Sequence, residues 1–97
     1  MFSVVCIRGI MSEQKAIIYG TNWCGDCIRA RRFLKDRSIT IDWVDIDRNK
    51  EAELFVLRTN HGMRSVPTIV FSDGSILVEP SNQELAEKLS FLGLGRI

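Results

Sequence analysis

The pentapeptide Trp-Cys-Gly-Asp-Cys at positions 23–27 decides how the rest of the chain is interpreted. It follows an apolar run at 16–19, typical of a buried β-strand, and precedes a helical pattern that begins near Ile28. Two cysteines two residues apart at a strand-to-helix junction are suited to thiol–disulfide exchange. Unpaired N–H groups and the helix dipole favour a thiolate at the helix N-terminus. We therefore predict that Cys24 is the nucleophile and that Cys27, one turn further along, is the resolving thiol.

Size, composition and cysteine content restrict the class of protein. At 97 residues and 45% hydrophobic content, the chain predicts one small domain with a compact core. A net charge of +1 does not favour a nucleic-acid partner, and no run of eighteen apolar residues predicts a membrane span. Three cysteines with one close pair fit a reducing compartment better than a secreted disulfide framework. We expect a cytoplasmic monomer.

The two ends of the chain are expected to lie outside the folded domain, which we place at 15–92. Residues 1–14 are predicted to be a disordered extension, and the sequence from Met11 has the form of a natural start. No small-residue cleavage site follows the first apolar stretch, so a secretory signal is not predicted. Cys6 is more simply an incidental thiol than a third redox cysteine, and 93–97 are expected to form a tail.

The hydrophobic pattern predicts the element order β-α-β-α-β-β-α, an α/β fold with a four-stranded mixed sheet flanked by helices. Strands are predicted at about 15–19, 40–45, 68–71 and 76–78, and helices at about 24–37, 48–60 and 82–92. The predicted core faces of the three helices are Ile28, Phe33 and Leu34, then Leu54, Phe55 and Leu57, then Leu85, Leu89 and Leu92.

Capping and turn signals support these helix and strand boundaries. Asp47 or Asn49 can cap the second helix, and His61-Gly62 is predicted to end it with the glycine at the C′ position. Asp73-Gly74 predicts a hairpin turn, and residues 81–84 form a capping box for the third helix.

Two segments together resemble the glutaredoxin branch of the thioredoxin-fold proteins. They are the Trp-Cys-x-x-Cys motif after the first strand and the Val66-Pro67 dipeptide before the third. The resemblance covers about 16–92 and implies a thioredoxin-like fold and a thiol–disulfide oxidoreductase. It also implies that the Val66–Pro67 bond is cis, that Pro67 packs against the cysteines, and that the Val66 backbone pairs with the bound thiol substrate.

The sequence departs from common glutaredoxins at three places that bear on glutathione. The motif contains Gly-Asp instead of Pro-Tyr, Thr21 stands where a lysine is frequent, and 79–82 lack the aspartate of the usual Gly-Gly-x-Asp segment. Asp73-Gly74-Ser75 and Pro80-Ser81 resemble the mycoredoxin-like dithiol glutaredoxins, whose typical middle dipeptide is Gly-Tyr where this chain has Gly-Asp. The resemblance implies no tightly bound cofactor, a glutathione- or mycothiol-like thiol as reductant, and oxidised or S-thiolated proteins as partners. The implied thiol-binding residues are Trp23, Val66, Pro67, Ser81 and Asn82.

Three alternatives remain open from the sequence. The chain could be a thioredoxin-like redoxin reduced by a flavoprotein reductase, or a glutaredoxin that bridges an iron–sulfur cluster. A zinc module would need Cys6 and His61 beside the cysteine pair, at an irregular spacing. A histidine that ends a helix needs no metal to explain it. Trp23 is equally consistent with a structural role and with lining the approach to Cys24.

Overall fold

The computed structural model describes residues 15–93, which follow the predicted element order. The predictions for residues 1–14 and for the tail beyond residue 93 lie outside this range. The elements are β1 (Lys15–Gly20), α1 (Gly25–Asp36), β2 (Thr40–Asp45), α2 (Lys50–Thr59), β3 (Thr68–Phe71), β4 (Ile76–Val78) and α3 (Asn82–Phe91). No helix within this part of the chain is long and apolar enough to cross a membrane.

The four strands lie in the order β2-β1-β3-β4, as a mixed sheet. β2 runs parallel to β1, and Gly20 pairs with Asp45 at their carboxyl ends. β3 runs antiparallel to β1, so its first residue, Thr68, pairs with Tyr19, and the end of β4, Val78, pairs with Thr68. One end of the sheet therefore carries four connecting segments: 21–24, 46–49, 65–67 and 79–81.

Apolar side chains pack on both faces of the sheet, as the sequence predicted. Alternate residues of β1 point to opposite faces, because successive side chains of a strand alternate. One face packs against α1 and α3 through a cluster of Ala16, Ile18, Ala30, Leu34, Ile39, Ile69, Phe71, Leu85 and Leu89. The other face packs against α2 through Ile46, Ala52 and Val56, with Tyr19, Val44, Phe55 and Val66 beside them.

The predicted core faces of α1 and α2 are wrong in part, because small residues lie against the sheet. Ile28 is 42% exposed and Leu54 is 41% exposed. The buried positions are Cys27, Ala30 and Leu34 in α1, and Ala52 and Val56 in α2. The buried residues recur at spacings of three and four, which places them on one face of each helix, and Ile28 and Leu54 lie off that face.

The end of α2 also differs from the prediction, whereas its start agrees. Asn49 caps α2 by accepting a hydrogen bond from the Ala52 N–H at 3.0 Å. Asn60 is the C-cap, so His61 occupies the C′ position with a φ of 56° and Gly62 follows with a φ of 88°. The predicted glycine at C′ is wrong by one residue. The left-handed conformation expected of glycine there is adopted by both residues.

The remaining turn signals are confirmed. The Ser81 hydroxyl and the Glu84 carboxylate each accept a backbone hydrogen bond from the other residue, which completes the capping box of α3. Gly74 has a φ of 87° in the hairpin turn, and its N–H donates to the Phe71 carbonyl at 2.8 Å. This hairpin and cap direct the segment before α3 to the sheet end that carries the cysteines.

Candidate active site

The two cysteines of the motif differ in accessibility. Cys24 is the N-cap residue of α1, and its Sγ accepts a hydrogen bond from the Cys27 N–H at 3.1 Å. Cys24 is half-buried, whereas Cys27 is fully buried beneath it. The Cys24 sulfur therefore lies at the N-terminal end of α1, where one backbone N–H donates to it. One sulfur of the pair is thus within reach of a substrate, and the other is not.

Burial holds Cys27 in its neutral thiol form. Loss of solvation, reinforced by the neighbouring Cys24 sulfur, raises the pKa of Cys27 from 9.0 to about 12. A hydrogen bond from the Thr21 backbone acts in the opposite direction but does not offset the burial. At neutral pH, Cys27 therefore attacks only after its proton has been taken up by another group.

We predict that alkylation distinguishes the two thiols. In a Cys6→Ser background, iodoacetamide at pH 7–9 should modify Cys24 and leave Cys27 free, because a pKa of about 12 leaves about one Cys27 in 10⁴ ionised at pH 8. Peptide mapping by mass spectrometry measures the two sites separately. In denaturant both thiols should react, and in Cys24→Ser the folded protein should stay unmodified. Similar rates at Cys24 and Cys27 in the folded protein would contradict this account.

The end of β1 provides the space that Cys27 occupies. A Cβ atom at Gly20 would lie 2.7 Å from the Cys27 Sγ and 2.9 Å from Cη2 of Trp43. Gly20 therefore permits a contact that no other residue allows without movement of its neighbours. The next residue, Thr21, is fully buried, and its hydroxyl has no hydrogen-bond partner among residues 15–93. The missing Cβ of Gly20 thus sets how close Cys27 lies to the strand.

The Val66–Pro67 peptide bond is cis, the isomer that the resemblance implied. Pro67 is buried, and its carbonyl accepts a hydrogen bond from the Glu79 N–H at 2.8 Å. Val66 is half-buried beside the α2 cluster, at the sheet end that also carries Cys24. Within residues 15–93, the N–H and C=O of Val66 form no backbone hydrogen bond. That leaves a donor and an acceptor at this sheet end for an extended substrate.

Ser81 and Asn82 lie at the start of α3, and their polar groups are partly occupied. The Ser81 hydroxyl and N–H are both used in the capping box. Asn82 Oδ1 accepts a hydrogen bond from Arg29 at 2.8 Å, and Arg29 also contacts Asp26 at 3.5 Å. Asn82 and Gly25 line one open groove with a volume of about 300 Å³. Of the two predicted residues, Asn82 is therefore the one placed beside the start of α1.

Trp23 is anchored at one edge and exposed elsewhere. Its side chain is 71% exposed, and Nε1 donates a hydrogen bond to the Asp47 carboxylate at 2.9 Å. Asp47 also forms an ion pair with Arg64, whose Nε donates to Glu53 at 2.7 Å. Hydrogen bonds from Arg64 and then Trp23 lower the pKa of Asp47. An exposed indole held in this way can present a ring face beside the nucleophile.

Sequence reasoning did not find this chain of contacts. The sequence predicts Asp47 only as a candidate helix cap and predicts no role in the site for Arg64 or Glu53. Asp47 and Arg64 lie 17 residues apart, and a charged residue at either position is typical of a protein surface. No spacing motif joins them, so only the fold brings them together.

The zinc-module alternative requires several metal-binding side chains that lie close together. Between residues 15 and 93, no three His, Cys, Asp or Glu side chains gather as metal ligands. Cys6, which the zinc alternative requires, lies outside that range.

An accessible thiol at a helix N-terminus, above a buried thiol at one end of this mixed sheet, defines a thiol–disulfide oxidoreductase with a thioredoxin-like fold. The glutaredoxin family model matches residues 16–76, more than half of the chain. The chain therefore belongs to the glutaredoxin family of thiol–disulfide oxidoreductases.

Similar proteins agree with this family membership. A protein named as a glutaredoxin in Mycobacterium tuberculosis is 47% identical over 72 residues, which cover 74% of this chain and 86% of that protein. Mycoredoxin 1 of Corynebacterium glutamicum is 35% identical over 75 residues, covering 77% and 92% of the two chains. The crystal structure of a glutaredoxin from Methanosarcina mazei superposes with a TM-score of 0.66 at 29% identity, over 81% of each chain.

Proposed function

We propose that this glutaredoxin reduces mixed disulfides between proteins and a small thiol, with Cys24 as the nucleophile and Cys27 as the resolving thiol. The observation that carries the proposal is the asymmetry of the pair: Cys24 is reachable at the helix N-terminus, whereas Cys27 is buried with a pKa raised to about 12. In such a pair the accessible sulfur attacks the substrate first, and the buried sulfur reacts only in a later step.

In the first step, the Cys24 thiolate attacks the small-thiol sulfur of the mixed disulfide. The S–S bond of the mixed disulfide breaks, the protein leaves as a thiolate that takes up a proton, and Cys24 carries the small thiol as a new mixed disulfide. No net oxidation occurs, since one disulfide is exchanged for another. The Cys24 sulfur, which accepts the Cys27 N–H at the start of α1, is the leaving group of the next step.

The second step has two routes, and the high pKa of Cys27 favours one of them. A second molecule of the small thiol can attack the carried thiol, release the Cys24 thiolate and leave as a symmetric disulfide. Alternatively, Cys27 attacks Cys24, its proton passes to the departing small thiolate, and a Cys24–Cys27 disulfide forms. Two molecules of an external thiol then supply the two electrons that reopen it, and they leave as their own disulfide. Because the Cys27 thiolate is scarce, we assign the main flux to the small thiol when that thiol is abundant.

Residues on both sides of Cys24 would bind the substrate. The N–H and C=O of Val66 can pair with the backbone of a bound chain, as in strand addition. Trp23 supplies an exposed aromatic face, and Asn82 supplies an amide beside the start of α1. Pro67 shapes the turn that presents Val66.

We propose a mycothiol-like thiol as the reductant in place of glutathione. Mycoredoxin 1 is among the similar proteins, and the chain lacks the lysine and aspartate expected for glutathione. The position of that lysine is taken by Thr21, which is buried and so is not available to a ligand carboxylate.

A trapping experiment tests the function and identifies the thiol. Cys27→Ser protein in a Cys6→Ser background is offered the oxidised forms of glutathione, mycothiol and bacillithiol in equal amounts, and adducts are mapped by mass spectrometry. We expect one dominant adduct, mycothiol on Cys24, and none in a matched Cys24→Ser variant. A dominant glutathione adduct would overturn the choice of thiol. The absence of any adduct would favour a redoxin reduced by a flavoprotein reductase.

A further inference from the structure

The strongest cluster of contacts outside the cysteine pair connects three segments at the same sheet end. Trp23 belongs to the turn that leads into α1, Asp47 to the β2–α2 connection, and Arg64 to the segment that leads to the cis-proline. The indole donates to one oxygen of Asp47, and Arg64 contacts the other. Arg64 also donates to Glu53 in α2 at 2.7 Å.

Arg64 is the residue through which this cluster is fixed. Its guanidinium contacts two carboxylates from different elements, and its side chain is 35% exposed, so each contact is only partly open to solvent. A guanidinium presents several donors in a fixed plane, so it can orient both carboxylates at once. Hydrogen bonds from Arg64 lower the pKa values of both Asp47 and Glu53. Both carboxylates are therefore charged at neutral pH and bind the Arg64 guanidinium.

The geometry points to Arg64 as a positioning residue: through Asp47 it holds the Trp23 indole in place beside Cys24. An indole that is 71% exposed makes few packing contacts, so the hydrogen bond to Asp47 is its principal restraint. Arg64 also lies two residues before Val66, so its contact with Asp47 links the segment that contains Val66 to the Trp23 side chain. Arg64 thus sets the distance between Trp23 and Val66, the two residues proposed to bind an oxidised protein. This inference rests on the proposed function, in which Trp23 and Val66 bind the substrate.

The chain offers a matched control in Arg48. It lies in the same connection as Asp47 and contacts Asp45 at 3.8 Å, but it is 84% exposed, and its side chain forms no hydrogen bond or ion pair with Asp47 or Trp23 in the described residues. Arg64→Gln and Arg48→Gln remove the same charge, and only the first removes the contact that restrains Asp47 and the indole.

The experiment combines kinetics with a signal from Trp23. Initial rates with an S-thiolated protein give KM and kcat, and iodoacetamide gives the reactivity of Cys24 alone. In a Trp43→Phe background, emission and acrylamide quenching report on the Trp23 indole. For Arg64→Gln we expect a rise in KM of about five- to tenfold, which corresponds to losing one hydrogen bond of ordinary strength. We also expect red-shifted, more readily quenched Trp23 emission and an unchanged alkylation rate.

A second variant guards against a simple loss of stability. Asp47→Asn should change KM and Trp23 emission in the same direction, and the double variant should be no worse than the stronger single one, because both break one chain of contacts. Arg48→Gln should match the wild type.

Three results would overturn the inference. They are unchanged Trp23 emission in Arg64→Gln, equal effects of Arg64→Gln and Arg48→Gln, and a fall in kcat or alkylation rate in place of the rise in KM. A wild-type protein that does not reduce S-thiolated protein would instead overturn the proposed function. In that case, Trp23 emission in Arg64→Gln would still show whether Arg64 positions the indole.

Discussion

Replacement of Cys24 by serine should reduce the rate of mixed-disulfide reduction by roughly 10³-fold or more, the scale on which removal of a catalytic nucleophile acts. Cys24 is the motif thiol that substrates can reach, and Cys27 lies fully buried beneath it. A serine hydroxyl in the same cap position keeps an acceptor for the Cys27 N–H but does not form the required nucleophile at neutral pH. Reduction of an S-thiolated protein, followed by mass spectrometry, measures the loss.

The matched variant for this prediction is Cys27→Ser. If a small thiol completes the cycle, this variant keeps much of the activity while a free small thiol is present and loses it when that thiol is withheld. Cys6→Ser should match the wild type under both conditions. Activity that survives Cys24→Ser but disappears in Cys27→Ser would contradict the assignment of the two roles.

Replacement of Gly20 by alanine should destabilise the protein by about 1–3 kcal/mol, the usual cost of forcing extra volume into a packed core. The added Cβ would lie 2.7 Å from the Cys27 Sγ and 2.9 Å from the Trp43 ring. Both neighbours are packed at the end of β1, so relief requires them to move. Displacement of Cys27 should also slow formation of the Cys24–Cys27 disulfide. Urea unfolding of the reduced protein measures the free energy of unfolding.

Gly25→Ala is the control for Gly20→Ala. A Cβ at Gly25 meets no described atom within 4 Å, and Gly25 is exposed at the start of α1. Alanine there should leave the free energy of unfolding unchanged or raise it by less than about 1 kcal/mol, since alanine favours the helix. Equal destabilisation by the two substitutions would show that the Gly20 contact with Cys27 is not the cause.

The element order and the cysteine roles could be proposed from local sequence because their signals are local. The strands at Thr40–Asp45, Thr68–Phe71 and Ile76–Val78 agree with the prediction, since the first has alternating apolar positions and the other two are short apolar runs bounded by turn residues. The capping box at 81–84 and the turn at Gly74 depend on neighbours along the chain. The Cys-x-x-Cys spacing places both sulfurs on one helix turn whatever the tertiary packing.

The remaining features depend on contacts that sequence spacing does not record. Ile28 and Leu54 are exposed because the tertiary packing buries the helix faces that carry Ala30 and Ala52 instead. The need for Gly20 arises only when Cys27 is placed against it. The Trp23–Asp47–Arg64 contacts likewise join segments that are separate in sequence.

The central claim is that Cys24 accepts the small thiol from the substrate and that Cys27 completes the exchange when no free small thiol is present. The most direct test mixes fully reduced protein in a Cys6→Ser background with an S-thiolated protein, without free small thiol, and maps disulfides over time by mass spectrometry. We predict release of the substrate thiol, a small-thiol adduct on Cys24, and then a Cys24–Cys27 disulfide lighter by two hydrogen atoms than the reduced protein. Release of the substrate thiol while Cys24 stays reduced, or an adduct that forms first on Cys27, would contradict the account.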